Sequence, residues 1–207
     1  MRIDYQAIVD RCLAFEEGYL SESMQYIAGM DEVGRGPLAG PVVTVCAIVD
    51  RERPVLGVRD SKKVTENKRN ELFPLIEDAC VEYRAAFVDN NVIDEINILN
   101  ATRRAFQECV QGLQTQPDFL FVDQITGLDL VCDHVILPQG DAKSYCIGCA
   151  SILAKVIRDN YMIEMDRVYP EYNFASNKGY GSQEHIAAIR EFGPCPLHRQ
   201  SFIGNFL

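Results

Sequence analysis

Ile27-Ala-Gly-Met-Asp31-Glu32-Val-Gly34-Arg35-Gly36-Pro-Leu-Ala-Gly-Pro-Val42 is the stretch whose reading decides the fold. It joins the apolar residues 26–30 to a second apolar run, 42–49, rich in β-branched side chains, and the eight residues 34–41 before that run are dominated by Gly and Pro. Two strands separated by a tight loop with exposed backbone are expected. Asp31 and Glu32 close the first strand. Neighbours on an extended chain point to opposite faces, so the two carboxylates converge only if the chain bends there, and Val33-Gly34-Arg35-Gly36 permits the bend.

Working outward, Tyr5, Ile8, Val9, Cys12 and Leu13 recur at helical spacing and predict an amphipathic helix over 4–17, capped by Asp4 and stopped by Gly18. Residues 65–79 put Leu72, Leu75, Ile76 and Ala79 on one helical face, with a kink expected at Pro74. A third strand fits 83–88. Asn91 is placed to cap one long helix to about Leu113, followed by short strands at 119–122, ending at Asp123, and at 135–137. From Ser144 to about Val168 the stripe Ala150, Leu153, Ala154, Ile157 and Tyr161 marks a helix against the core; a last helix fits 183–191. This order predicts an α/β fold, a mixed sheet with helices on its faces and a small helical C-terminal part. The expected organisation is an N-terminal helical extension (1–24), a catalytic core (25–168) and a C-terminal helical part that covers substrate (169–207).

The 207 residues are 47% apolar, enough for one substantial core. Gly36 to Val49, an uncharged run, is too short and too rich in Gly and Pro to span a bilayer, and Arg2, Asp4, Asp10 and Arg11 interrupt any signal-peptide core. No membrane contact and a cytoplasmic location are expected. The eight cysteines are scattered through apolar segments and read as reduced thiols. Cys146 and Cys149 form a C-x-x-C without a second ligand pair for zinc, and read as small residues at a helix start.

A net charge of −10 argues against non-specific adhesion to nucleic acid. Residues 51–69 reverse it locally, with Arg51, Arg53, Arg59, Lys62, Lys63, Lys68 and Arg69 against three acids. Such a strip suits a phosphate-binding edge, and equally a solvated loop and helix start.

Four acids, Asp31, Glu32, Asp123 and Asp159, stand among apolar neighbours. Carboxylates converging at one sheet edge repel unless a cation lies between them, and hard oxygen ligands suit Mg²⁺ or Mn²⁺. Ser151, Lys155 and Asp159, spaced by four, form a polar stripe suited to a site wall. Gly34-Arg35-Gly36 leaves backbone groups open to a sugar hydroxyl or phosphate, and Asp60-Ser61-Lys62-Lys63 adds a hydroxyl and two ammonium groups.

Together the 27–42 run, Asp60-Ser-Lys-Lys63, Ile93-Asp-Glu-Ile-Asn97, the block from Ala150 to Asp159, Lys178-Gly-Tyr-Gly181 and His198-Arg-Gln-Ser-Phe202 resemble, in order, the blocks of bacterial type 2 ribonuclease H, ribonuclease HII. The resemblance covers roughly residues 25–202. It implies a ribonuclease-H-like fold of about five strands and cleavage of the RNA strand of RNA/DNA hybrids, with nicking of duplex DNA at a single embedded ribonucleotide. It implies that Asp31, Glu32, Asp123 and Asp159 surround two divalent metals, Mn²⁺ or Mg²⁺, which activate water and stabilise the leaving oxygen to give 5′-phosphate and 3′-hydroxyl ends. By the same resemblance Gly34, Arg35 and Gly36 sense the ribose 2′-hydroxyl, Ser61 and Lys62 contact phosphate, and Tyr180 packs against the nucleotide at the RNA-to-DNA step. Arg35 separates the chain from the related type 3 enzymes, which resemble it but carry Lys between the glycines. Gln124 and Gln139 depart from the family's usual Gly and Lys, and His198, within a family block, stands as an assisting group near the site.

Two rival readings remain at this level. Another ribonuclease-H-like nuclease or a transposase acting on DNA would keep the acids without the glycine-arginine-glycine sensor, and a non-enzymatic nucleic-acid-binding protein would need no metal. A monomer is expected. Gln200, Ile203, Phe206 and Leu207 approximate a sliding-clamp docking pattern, although Ser201 and Phe202 between them already belong to a family block.

Overall fold

In the computed structural model, which describes residues 3–205, α1 (Tyr5–Glu17) begins where the Asp4 carboxylate accepts the Ala7 N–H and stops at Gly18. The two apolar runs become β1 (Ile27–Val33) and β2 (Val42–Val49), paired antiparallel. Thr65 caps α2 (Glu66–Ala79), which runs directly into β3 (Cys80–Val88). Then come α3 (Asn90–Ile96), α4 (Ile98–Gln111), β4 (Phe119–Asp123) and β5 (His134–Leu137). Ser144 caps the long α5 (Tyr145–Val168), and the C-terminal part holds α6 (Phe174–Asn177), α7 (Gln183–Phe192) and α8 (Gln200–Ile203). The strands form one mixed sheet in the order β3-β2-β1-β4-β5, with β4 parallel to both β1 and β5. The expected α/β architecture is present. Among the described residues no helix is long and apolar enough to cross a membrane.

Apolar layers cover both sheet faces. On one, α1 and α5 bury Val9, Cys12, Ile147 and Ala150 against Val45, Ala47 and Phe121. A Cβ at Gly29 would lie 2.0 Å from the Cys146 carbonyl carbon, so glycine is what lets α5 cross β1 this closely. On the other face α4 packs Ala105, Phe106 and Cys109 against Met30, Cys46 and Ile48. A third cluster joins the C-terminal helices to the loop after β1, with Phe174, Ile189 and Ile203 packed beside Leu38 and Ala39. A single β-bridge between Ala39 and His198 ties the two segments.

Several local expectations are corrected. The long helix expected from Asn91 is two helices, capped first by Asp89, whose carboxylate accepts the Val92 N–H. Asn97 breaks them with a positive φ of 65°, and its side chain then accepts the Leu99 and Asn100 N–H groups to start α4. In α2, which holds Pro74 within it as expected, the buried stripe is Arg69, Leu72, Ile76 and Ala79. Leu75 is exposed because it sits about 100° around the helix from Ile76. β3 begins at Cys80, ahead of the expected Tyr83. Helix α1 also buries Glu16 completely; its carboxylate accepts Ser144 Oγ at 2.6 Å and the Cys146 N–H at 2.8 Å, and pairs with Arg51 at 3.0 Å. A carboxylate is favoured at that helix N-terminus.

Candidate active site

Parallel pairing of β1 with β4 puts Met30 opposite Val122, so the residues that follow, Asp31 and Asp123, stand side by side at the same end of the two strands. One oxygen from each of Asp31, Glu32 and Asp123 lies within 4.8 Å of the others. The bend expected at Asp31 is absent, because β1 stays paired with β2 as far as Val33. The side chains converge instead. Asp31 Oδ1 folds back to accept the N–H of Glu32 at 2.7 Å, and the longer Glu32 side chain reaches the same edge. Asp123 Oδ1 accepts the Gly140 N–H at 2.7 Å. Gly140 was not foreseen as a site residue; a Cβ there would press within 3.0 Å of that oxygen.

Burial drives the Asp31 carboxyl well above its ordinary pKa, and the charges of Glu32 and Asp123 raise it further against a partly offsetting bond from Ser151. Burial also lifts Glu32 to about 7; Arg35, 3.2 Å away, opposes the rise and Asp123 adds to it. Asp141 beside them is raised to about 6, by burial and then by Asp60 and Asp123. Burial alone would lower the Lys62 ammonium, but Asp141, Asp31, Asp60 and Asp123 outweigh it and raise the group. Glu32 Oε2 is buried with no hydrogen-bond partner among the described residues. Three mutually repelling oxygen donors, one of them unsatisfied, fit a divalent cation such as Mg²⁺ or Mn²⁺.

The other expected residues surround this trio at different depths. The cleft is lined by Asp31, Glu32, Ser61, Lys62, Lys155 and Tyr180. Ser61 and Lys62 lie on a 3₁₀ turn, Ser61–Lys63, where Ser61 is buried and its hydroxyl bonds Ser151 Oγ at 2.8 Å. Tyr180 is 42% exposed, with Lys155 Nζ 5.8 Å from its ring centre, which distinguishes it from a packed core aromatic. Asp159 stands outside the trio, buried and ion-paired to Lys155 at 2.8 Å and Arg69 at 3.8 Å. Gly34 has a left-handed φ of 93° and Gly36 does not.

Most of the basic strip is consumed locally. Arg51 pairs with Glu16 and Glu17, Arg53 with Asp50, Lys63 with Asp60 and Lys68 with Glu71, while Arg59 and Arg69 bond backbone carbonyls. Among the described residues Lys62 alone of the seven keeps its side chain out of such a contact. His198 does not assist at the carboxylates. It is buried in the C-terminal cluster with its Nε2 3.0 Å from His185 Nε2, and burial lowers it to about 4. Cys146 and Cys149 are buried at the start of α5, with thiol pKa values pushed up by burial.

Carboxylates gathered where parallel strands end, with hard-cation chemistry and a helical part closing one side, make this a metal-dependent nuclease of the ribonuclease-H-like class. The sequence model of the Ribonuclease HII family matches residues 28–205. The Ribonuclease HII of Caldicellulosiruptor saccharolyticus is 50% identical over 192 residues, spanning 93% of this chain and 94% of that protein. In structure, ribonuclease H2 from Pyrococcus horikoshii OT3 superposes with a TM-score of 0.73 at 26% identity, over 86% of this chain and 93% of that one. The RNase HII of Archaeoglobus fulgidus, solved as a complex with PCNA, shares the fold with a TM-score of 0.72 at 23% identity, over 87% and 96%. The chain belongs to the ribonuclease HII family: it is a type 2 endoribonuclease H that hydrolyses RNA/DNA hybrids with a divalent metal.

Proposed function

We propose that the chain cuts on the 5′ side of a ribonucleotide, both within the RNA strand of a hybrid and at a single ribonucleotide embedded in duplex DNA, leaving 5′-phosphate and 3′-hydroxyl ends. One observation carries this reading. A Cβ at Gly36 would meet nothing closer than the Tyr180 ring at 3.9 Å, so the fold itself does not require glycine there. A bare backbone beside the carboxylates suits a ligand that must approach closely, as a ribose 2′-hydroxyl would.

In this reading Gly34, Arg35 and Gly36 recognise the 2′-hydroxyl, and Tyr180 packs on the adjoining nucleotide. Arg35 holds Glu32 in place through its ion pair. Lys62 offers an uncommitted ammonium to a phosphate, and Ser61, tied to Ser151, orients that turn. Asp31, Glu32 and Asp123, joined by Asp159 when it releases Lys155, hold Mn²⁺ or Mg²⁺, which when bound supplies Lewis-acid stabilisation of charge at phosphorus and acidified water. Incubation of a duplex carrying one ribonucleotide, and of its all-DNA counterpart, in Mg²⁺, Mn²⁺ and chelator tests this. Cleavage of the all-DNA duplex, or cleavage 3′ of the ribonucleotide, overturns it.

All these groups come from one chain, which supports action as a monomer. Eight unpaired cysteines suit a reducing compartment and support a cytoplasmic location. The proposal extends to a sliding-clamp contact through the C-terminus. Phe206 and Leu207 lie outside the described residues, Ile203 is fully buried, and Asp94 accepts the Gln200 and Ser201 N–H groups that start α8. Docking there requires α8 to release Ile203; a pull-down with and without residues 203–207 tests it.

A further inference from the structure

Two arginines are fully buried without an ion pair among the described residues, Arg158 on α5 and Arg199 just before α8. Buried guanidinium groups ordinarily require an anion. These two are satisfied by main-chain oxygens instead. Arg199 donates to the carbonyls of Gly34 at 2.6 Å, Arg35 at 3.0 Å and Gly40 at 2.8 Å. Arg158 donates to Ala39 at 3.1 Å, Pro41 at 3.0 Å and Lys178 at 2.9 Å. The pair therefore grips both ends of the loop after β1 and, through Lys178, the turn that carries Tyr180.

In a trans peptide the C=O of one residue and the N–H of the next point in opposite directions. Drawing the Gly34 and Arg35 carbonyls inward turns the N–H groups of Arg35 and Gly36 outward. Neither N–H has an acceptor among the described residues. Two successive outward N–H groups form a concave donor site for an oxygen ligand. A cation pressed behind these peptides also strengthens them as donors, because it sits at the carbonyl end of each dipole.

We infer that Arg158 and Arg199 are positioning residues for ribonucleotide selectivity, acting from behind the loop by fixing the direction of its peptide groups. The inference rests on the proposed reading of Gly34–Gly36 as the 2′-hydroxyl sensor. Lysine is the informative replacement: it keeps the charge, but one ammonium cannot reproduce the planar fork that bridges three carbonyls.

The experiment measures kcat and KM for wild type, Arg199→Lys and Arg158→Lys on a duplex with one ribonucleotide and on the same duplex with a 2′-fluoro-2′-deoxyribonucleotide at that position. Affinity is measured separately in chelator. Wild type should prefer the ribonucleotide strongly; if it cleaves both equally, the sensor reading fails, whatever the arginines do. With that preference established, each lysine variant should lose at least tenfold of it, mainly in kcat, with affinity in chelator changed less than threefold. A preference retained by a folded variant overturns the inference, as does an equal loss on both substrates. Amide NMR of the wild-type protein keeps the question decidable if neither variant folds. The Arg35 and Gly36 N–H resonances should shift on adding the ribonucleotide duplex and not the all-DNA duplex, and identical spectra overturn the inference.

Discussion

Arg158 lies so close beneath Gly34 that a Cβ at position 34 would come within 2.3 Å of its Nε and 2.7 Å of its Cδ. At Gly36, two residues along the same loop, a Cβ would meet nothing closer than 3.9 Å. Gly34→Ala should therefore destabilise the fold, by about 1–3 kcal/mol from the left-handed backbone alone, with the clash added. Gly36→Ala should melt within a few degrees of wild type yet lose at least tenfold in kcat/KM on the single-ribonucleotide duplex. Equal melting of the two variants would remove the distinction between a glycine needed by the protein and one needed by the ligand.

Asp31→Asn and Asp123→Asn should each abolish cleavage while the fold survives. A neutral amide is a poor replacement for an anionic metal ligand, and it relieves repulsion within the trio. Metal-free protein carrying either change should melt above wild type at pH 8. Turnover near the wild-type rate in either variant would contradict the assignment.

Stability of the metal-free protein should fall as pH rises from 6.5 to 8. Glu32 is raised in the folded state to about 7, above its ordinary value of about 4.3. Its contribution is thus fully present below the unfolded value and is lost as pH rises through about 7. His198 has the opposite sign, because its folded pKa is lowered to about 4. Its contribution, like that of His185, which burial also lowers, grows as pH rises through about 6.5 and is lost on acidification, so the carboxylate effect is read as the difference between wild type and Glu32→Gln, in which the histidine contributions cancel. A divalent cation should raise the melting temperature more at pH 8 than at pH 6.5, where protons compete for the same oxygens. Calorimetry at the two values, with and without Mg²⁺, would show the reverse order if the trio were not the binding site.

Lys62→Ala should weaken binding across sequences and reduce the slope of log affinity against log salt by about 0.9, the contribution of one phosphate contact on B-form DNA. Lys68→Ala is the control, since its ammonium is engaged by Glu71 at 2.9 Å. Equal changes in the two slopes would place the phosphate contacts elsewhere.

Tyr180→Ala should lose turnover far more than affinity, whereas Tyr180→Phe should keep most of both, because packing on a nucleotide needs the ring and not the hydroxyl. Wild-type cleavage of the single-ribonucleotide duplex by Tyr180→Ala would reduce Tyr180 to a bystander at the rim.

Much of this molecule could be read from short stretches of chain. The alternation of apolar, β-branched runs with Gly and Pro around 27–49 located β1, its loop and β2, because strand and turn preferences are set by neighbours a few residues away. Ser144 and the stripe Ala150–Leu153–Ala154 located α5 for the same reason, and the acids were visible as charges isolated among apolar residues. What required the tertiary structure was the choice of partner across the chain. Nothing within ten residues of Glu16 shows that its carboxylate meets Ser144 and Cys146, or that Gly140 donates to Asp123. The bend expected at Asp31 proved unnecessary, because side-chain reach at the end of a paired strand achieves the same convergence. Arg53, Lys63 and Lys68 stand three residues from the acids that pair with them, a spacing visible in the chain itself, whereas only the fold brings Arg51 to Glu16 and leaves Lys62 at the cleft. Arg158 and Arg199 would pass for surface residues by composition. They are buried because the loop after β1 turns its carbonyls inward, and a buried carbonyl must find a donor wherever the fold can deliver one.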